Sequence, residues 1–147
     1  MINRLLTTLL LSSVAVMALE SGDTIPQKLQ EQLNMKPDTV YVVDFFASWC
    51  KSCKKELPLI ANLYNNKTAE VIGVNTDKEK KTGEAFVQSL ALPFPVLYDE
   101  DKSLVEGFEP LGFPAIYYVK NNTIIHLIFG AVDEIDKKIA EDIKAIK

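Results

Sequence analysis

The only two cysteines of this chain lie close together, in the sequence Trp49-Cys50-Lys51-Ser52-Cys53. A strand-like run precedes them and a helical pattern follows, so both sulfurs fall in the first turn of a helix and can form a disulfide with little backbone movement. Free amide N–H groups and the helix dipole favour an anion there, and Lys51 adds positive charge. We therefore expect Cys50 to form the reactive thiolate, and the more shielded Cys53 to resolve a mixed disulfide.

Two other interpretations of this cysteine pair are a structural disulfide and half of a zinc site completed across a dimer. A bridge that closes so short a loop removes little entropy from the unfolded chain, so stabilisation is a poor reason for the spacing. Two cysteines and one histidine cannot supply the four ligands of a structural zinc site within one chain. The spacing therefore favours thiol–disulfide redox chemistry.

Asp44 interrupts an otherwise apolar run over residues 39–47, six positions before Cys50. A carboxylate buried in a central strand is costly when it is ionised and unpaired, so burial should raise its pKa above the ordinary value of about 4. Such a group can hold a proton near neutral pH and exchange it with a thiol, directly or through one water. The alternative is that a lysine elsewhere in the fold pairs with Asp44.

Strands and helices alternate along the rest of the chain. The predicted helices cover residues 24–33, 50–66, 79–92, 102–108 and 133–146, and the predicted strands cover 39–47, 70–77, 96–98, 114–119 and 123–129. Strands that alternate with helices imply parallel crossover connections, and Asn121-Asn122 predicts a tight antiparallel hairpin between the last two strands. We therefore expect an α/β fold, with a central mixed sheet flanked by helices.

The sequence also predicts the local roles and the burial of single residues within or between these elements. Thr24 should cap the first helix, and Pro58 should kink the helix that follows the cysteines. Ala91 should face inward at the end of the third helix. Of Tyr117-Tyr118, one ring should be buried and the other exposed. The turn Asp99-Glu100-Asp101 should be solvated, because it lacks the glycine and the distal glutamate of a calcium loop.

Residues 1–18 differ from the rest of the chain. Arg4 is their only charge, and the apolar run over residues 5–19 is too short and too rich in hydroxyl groups for a membrane span of roughly 20 apolar residues. The pattern predicts a secretory signal that is cleaved after Ala18, which leaves one domain over residues 19–147 in the periplasm or another exported compartment where disulfides form. An uncleaved N-terminal anchor is the alternative. Cleavage changes the net charge from -4 to -5, because only Arg4 is lost.

Composition narrows the class of protein. The chain has 147 residues, of which 48% are hydrophobic and 24% charged, as expected for a single globular domain and not for a disordered protein. No basic stretch is dense enough to follow a phosphate backbone, so we expect no nucleic-acid partner. No motif for a nicotinamide or a flavin is present, so the Cys50–Cys53 disulfide is the only redox group we expect. We expect a monomer.

These motifs together resemble the thioredoxin superfamily. The matching stretches are residues 43–54, Pro58, Gly112-Phe113-Pro114 and Phe129-Gly130-Ala131. The resemblance implies the thioredoxin fold over essentially the whole predicted mature chain. It also implies that Cys50 is the attacking thiol, Cys53 the resolving thiol and Asp44 a buried proton-transfer acid.

The resemblance extends to the substrate-binding residues. It implies that Trp49 lies beside the disulfide, that the Phe113–Pro114 peptide bond is cis, and that Gly130 lies near the substrate groove. Phe113 would offer its backbone groups to an extended substrate strand. No metal site is implied.

Among exported members of the superfamily, the chain resembles the TlpA-like reductases, some of which serve cytochrome c maturation. This implies disulfides or thiols of exported proteins, such as apocytochrome c, as substrates and a membrane protein as electron donor. Reduction is the favoured direction, because Asp44 helps to deprotonate Cys53. Two alternatives remain open: a net oxidant, since Lys51 stabilises the reduced form, and a non-enzymatic chaperone or carrier of thiols or copper.

Overall fold

A computed structural model of the chain describes residues 17–147, so the predicted secretory signal lies almost entirely outside the described residues. The helices are α1 (Gln27–Leu33), α2 (Lys51–Asn65), α3 (Lys80–Ser89), α4 (Ser103–Phe108) and α5 (Ile135–Ile146). The strands are β1 (Val40–Phe46), β2 (Glu70–Asn75), β3 (Val96–Tyr98), β4 (Ala115–Lys120) and β5 (Thr123–Phe129). Within residues 17–147, no helix is both long enough and apolar enough to span a bilayer.

The five strands form one mixed sheet in the order β3-β2-β1-β4-β5. β1 pairs in parallel with β2, and β2 in parallel with β3, whereas β4 runs antiparallel to both β1 and β5. All seven residues of the central strand β1 are buried, as its near-continuous apolarity predicts for a strand covered on both faces. The predicted mixed α/β sheet is confirmed.

The helices form one layer on each side of the sheet. Side chains from α2, α3 and α5 pack on one face, in a cluster that also contains both cysteines. Side chains from α1 and α4 pack on the other face. Because both faces are covered, Tyr117 and Tyr118 are both fully buried, and the prediction that one ring is exposed is wrong.

The alternation of side chains along β1 decides which layer each residue joins. Val42 and Phe46 belong to the layer that contains the cysteines, and Asp44 lies between them on the same face. In the sheet, Asp44 is paired with Gly73 of β2 and Ile116 of β4. The strand therefore directs the carboxyl group toward the layer of α2.

The hairpin between β4 and β5 confirms the predicted turn. Asn121 and Asn122 both adopt left-handed backbone conformations, with φ of 50° and 60°. Asparagine tolerates this region better than most residues, and two such residues give a turn whose twist matches antiparallel strands. The turn places β5 at the edge of the sheet and Gly130 directly after it.

Three local predictions are wrong, each because a contact or a turn that the sequence pattern does not show decides the structure. Thr24 does not cap α1, because it forms a bridge with Thr123 and the helix begins at Gln27. Ala91 is exposed, because α3 ends at Ser89 and Ala91 turns the chain with φ of 47°. Asp99 is buried, because its carboxylate accepts hydrogen bonds from the amides of Leu104 and Val105 at the start of α4.

Candidate functional site

Cys50 and Cys53 form a disulfide at the N-terminus of α2, where the sequence places them. Cys50 is the N-cap residue, and its Sγ accepts a hydrogen bond from the backbone N–H of Cys53 at 3.2 Å. Cys50 is 6% exposed and Cys53 is fully buried. The more accessible sulfur therefore also receives the amide hydrogen bond, which would stabilise a thiolate on Cys50.

The predicted substrate-binding residues contact one another in a group, called the rim below, that begins at Trp49, the residue before Cys50. Trp49, which is 65% exposed, packs edge to face against Phe113, with 5.5 Å between the ring centroids. The Phe113–Pro114 peptide bond is cis. The backbone N–H of Gly130 donates to the carbonyl of Pro114 at 2.9 Å, and the φ of +83° at Gly130 favours glycine. The structure thus brings together four residues that are up to 81 positions apart in the sequence.

Asp44 is buried in β1, on the face of the sheet that carries α2, as its position in an apolar run predicts. It is 1% exposed, and its Oδ1 has no hydrogen-bond partner among the described residues. Burial raises the pKa of Asp44 well above its ordinary value, and the nearby charge of Glu56 raises it further. No lysine within residues 17–147 forms an ion pair with Asp44, so the proposed lysine partner is not found there.

Glu56 is a second buried carboxyl group, which the sequence reasoning missed. It is 5% exposed, its Oε1 accepts a hydrogen bond from the amide of Val132 at 2.8 Å, and its Oε2 has no partner in the described part of the chain. Burial raises the pKa of Glu56, and the Val132 hydrogen bond partly opposes that effect. The helical period could have indicated Glu56, because a residue three positions after Cys53 lies on the same face of α2 as Cys53.

The arrangement can carry out two-electron sulfur chemistry with local proton storage. Cys50 is slightly exposed and bonded to a helix amide, Cys53 is fully buried, and two buried carboxyl groups, Asp44 and Glu56, have raised pKa values. Carboxyl groups of this kind can accept or return a thiol proton near neutral pH. Among the described residues, no cluster of three or more histidine, cysteine or acidic side chains is placed to hold a metal ion.

A protein-family model named AhpC/TSA matches residues 16–128 of this chain. Among curated proteins, the thiol-disulfide oxidoreductase ResA of Bacillus subtilis is 26% identical over 96 residues, which cover 63% of this chain and 54% of ResA. The ResA of Oceanobacillus iheyensis is 28% identical over 126 residues, which cover 76% of this chain and 66% of that protein. The chain thus spans between about half and two thirds of the length of these relatives.

Solved structures show the same fold. A thiol:disulfide interchange protein from Bacteroides sp. superposes with a TM-score of 0.65 at 21% identity, over 87% of this chain and 91% of that chain. StoA from Bacillus subtilis gives a TM-score of 0.65 at 21% identity, over 72% of this chain and 83% of that chain. The thioredoxin fold expected from the motifs is therefore confirmed.

Proposed function

The chain belongs to the AhpC/TSA family within the thioredoxin superfamily, and we propose that it is a thiol–disulfide oxidoreductase that cycles Cys50 and Cys53 between dithiol and disulfide. One observation carries the proposal: Cys50 caps α2 and accepts the amide hydrogen bond of Cys53, its partner in the disulfide. The curated relatives named thiol-disulfide oxidoreductase support it.

The proposed reaction reduces a substrate disulfide in two exchange steps. The Cys50 thiolate attacks one substrate sulfur, a mixed disulfide forms, and the other substrate sulfur leaves and takes up a proton. Cys53 then loses its proton and attacks Cys50 Sγ, which releases the second substrate sulfur. The substrate gains two electrons and two protons, and the Cys50–Cys53 disulfide seen in the structure is the product. A partner dithiol restores the reduced enzyme.

Asp44 and Glu56 handle the proton of Cys53 in this scheme. Two carboxylates in one apolar layer disfavour each other's ionisation, so the pair retains a proton at a higher pH than an isolated carboxyl group would. The ionised member accepts the Cys53 proton when Cys53 attacks. Because Cys53 is fully buried, water cannot reach its thiol directly, and a buried base is needed to accept the proton.

The rim suits an extended protein segment as substrate. Trp49 and the exposed Leu111 offer apolar contact area, and the backbone before Pro114 can pair with an extended strand. We propose that the substrates are disulfides of exported proteins, with apocytochrome c as one candidate, and that a membrane-bound dithiol protein supplies the electrons. The enzyme acts as a monomer in this proposal.

Mutation of each cysteine in an insulin-reduction assay tests the two-thiol cycle. Cys50→Ser and Cys53→Ser should both abolish catalytic turnover, since one variant lacks the nucleophile and the other cannot release the mixed disulfide. Turnover retained in either variant would contradict the cycle. Tight binding of Cu(I) by the wild-type protein without any insulin reduction would support the carrier function instead.

Equilibration with a glutathione buffer tests the direction of electron flow. A reductase should have a potential toward the thioredoxin value of about -270 mV rather than the value of about -120 mV of a strong oxidant. A potential above about -150 mV would replace the reductase with a disulfide donor. Lys51 and the amide hydrogen bond of Cys50 both stabilise a thiolate and favour the second outcome, so the measurement decides between two real alternatives.

Residues 1–18 are proposed to direct export of the protein. We propose that cleavage after Ala18 releases a domain that begins at Leu19, whose amide donates to the carbonyl of Phe108. The mass of the N-terminal peptide, measured on protein recovered from the exported fraction, tests this directly. An intact N-terminus in the membrane fraction would support the anchor instead.

A further inference from the structure

Asp77, just after β2, holds the loop that leads into the cysteines. Its Oδ1 accepts a hydrogen bond from the Ser48 hydroxyl at 2.7 Å, and its Oδ2 accepts one from the Ser48 backbone N–H at 3.0 Å. Asn75 donates to the same carboxylate at 2.8 Å. Asp77 is 5% exposed, and each of its carboxylate oxygens has a donor. The pair of hydrogen bonds between Asp77 and Ser48 is called the Ser48–Asp77 clamp below.

The clamp is itself fixed to the sheet and to the loop before α4. Lys102 donates through Nζ to the carbonyl oxygens of Thr76 and Asp77, at 2.7 and 3.2 Å. The amide and the hydroxyl of Thr76 both donate to the carbonyl of Phe46, the last residue of β1. Asp77 therefore cannot move independently of the end of β1, which lies two residues before Ser48.

Besides the clamp and the ring contact between Trp49 and Phe113, two further links hold the loop between β1 and α2. The backbone N–H of Cys50 donates to the carbonyl of Ala47 at 3.1 Å, and the disulfide ties Cys50 to Cys53. Trp49, between Ser48 and Cys50, is mostly exposed. When the disulfide is reduced, the covalent tie disappears and the clamp remains as the side-chain hydrogen bond that fixes this loop to the end of β2.

We propose that Asp77 is a positioning residue for Cys50, which it controls by clamping Ser48 so that Cys50 Sγ stays at the amide end of α2 after the disulfide opens. The inference rests on the proposed dithiol cycle. It adds a residue 27 positions from Cys50 that contacts neither sulfur and that no cysteine motif indicates.

The test compares Ser48→Ala with Ser48→Thr, because replacing Asp77 would also remove a negative charge and thereby change the ionisation of Cys50 directly. In reduced protein, the rate of Cys50 alkylation is measured against pH, and the potential is measured against glutathione. Ser48→Ala should slow alkylation near pH 7 by about three- to tenfold, the factor that one lost hydrogen bond can supply. Its potential should become more negative, since a less favoured thiolate destabilises the reduced form. Ser48→Thr should restore both values.

Ser89→Ala is the matched control. The Ser89 hydroxyl donates a hydrogen bond of the same 2.7 Å length to Phe86 at the end of α3, so its loss tests a general loss of stability. This variant should leave the titration of Cys50 unchanged, and urea unfolding of the oxidised variants reports their stability. Wild-type titration and potential in Ser48→Ala, or a Ser48→Thr variant that behaves like Ser48→Ala, would overturn the proposal. Because neither measurement uses a protein substrate, failure of the proposed function in the insulin assay remains distinguishable.

Discussion

At the scale of single residues, the molecule keeps two carboxyl groups where folding alone disfavours them. Asp44 and Glu56 each carry an oxygen without a partner in the described structure, and burial raises the pKa of both. An ionised, unpaired carboxylate in an apolar layer costs stability that an apolar residue would not. The proposed role in moving the Cys53 proton would account for this cost.

Because of this cost, the stability difference between Asp44→Asn and wild type should depend on pH. Because the folded pKa of Asp44 is raised above 3.8, the folded state binds this proton more tightly than the unfolded state does. The wild type therefore loses stability as the pH rises from about 4 through the folded pKa, whereas asparagine cannot ionise. Asp44→Asn should be more stable than wild type by on the order of 2 kcal/mol at pH 7, and the gap should close below pH 4.

Urea unfolding of the oxidised protein at several pH values measures this gap. Asp133→Asn is the control, because it removes the same charge at an exposed position. A gap between Asp44→Asn and wild type that stays constant or shrinks with rising pH would show that Asp44 is not a destabilised carboxylate.

Glu56→Gln should alter the pH profile of turnover through Asp44. Glutamine keeps an oxygen for the amide of Val132 but removes the charge that raises the pKa of Asp44. Asp44 then ionises at lower pH, so the acidic limb of kcat for insulin reduction should move to lower pH. An acidic limb that stays in place or moves to higher pH would separate Glu56 from the proton path.

At the scale of elements, the strand β1 and helix α2 could be predicted with their cysteines because the signals are local and strong. The hairpin residues Asn121 and Asn122 likewise specify their own turn. The ends of helices were harder to predict. Thr24 pairs with Thr123 of β5 instead of capping α1, and Ala91 lies beyond the end of α3. The Ser48–Asp77 clamp joins the ends of two parallel strands, a contact that no local pattern encodes.

The packing of α3 on β2 predicts the effect of Gly83→Ala. A glycine inside a helix costs about 1 kcal/mol relative to alanine, so the exchange would normally stabilise. A Cβ at Gly83, however, would lie 2.1 Å from Oδ1 of the buried Asn75. We expect a net destabilisation of about 1 to 3 kcal/mol, as in other overpacked cores.

Thermal or urea unfolding checks this prediction, with Gly112→Ala as the control. Gly112 has open space where a Cβ would be placed and no left-handed φ, so alanine should be neutral or slightly stabilising there. A Gly83→Ala variant that is more stable than wild type would mean that Asn75 can move away at little cost.

At the scale of the whole molecule, large apolar side chains that are exposed to solvent indicate where a partner could bind. Trp49 and Leu111 are 65% and 85% exposed, and Trp49 directly precedes Cys50. Exposed aromatic side chains next to a reactive centre are well suited to anchor a protein partner. The fold and the cysteine chemistry could be predicted from motifs, but the identity of that partner depends on how exposed groups are arranged in three dimensions, which no local motif encodes.

Trp49→Ala should therefore weaken docking without weakening the fold. We expect KM for insulin to rise by about five- to thirtyfold, corresponding to about 1 to 2 kcal/mol for an interface aromatic residue. Reduction by glutathione, which needs no protein docking, should change little. Ile125→Ser on the exposed side of β5 is the control, and an unchanged KM in Trp49→Ala would remove Trp49 from the substrate surface.

The most direct test of the central claim is capture of the mixed disulfide on Cys50. Reduced Cys53→Ala and Cys50→Ala variants are each mixed with a peptide disulfide, and intact mass followed by peptide mapping locates the adduct. Cys50, which is 6% exposed and accepts the amide hydrogen bond, should give a rapid, long-lived adduct in Cys53→Ala, whereas the fully buried Cys53 should react far more slowly in Cys50→Ala. Equal rates in the two variants, or faster capture on Cys53, would contradict the assignment of Cys50 as the attacking thiol.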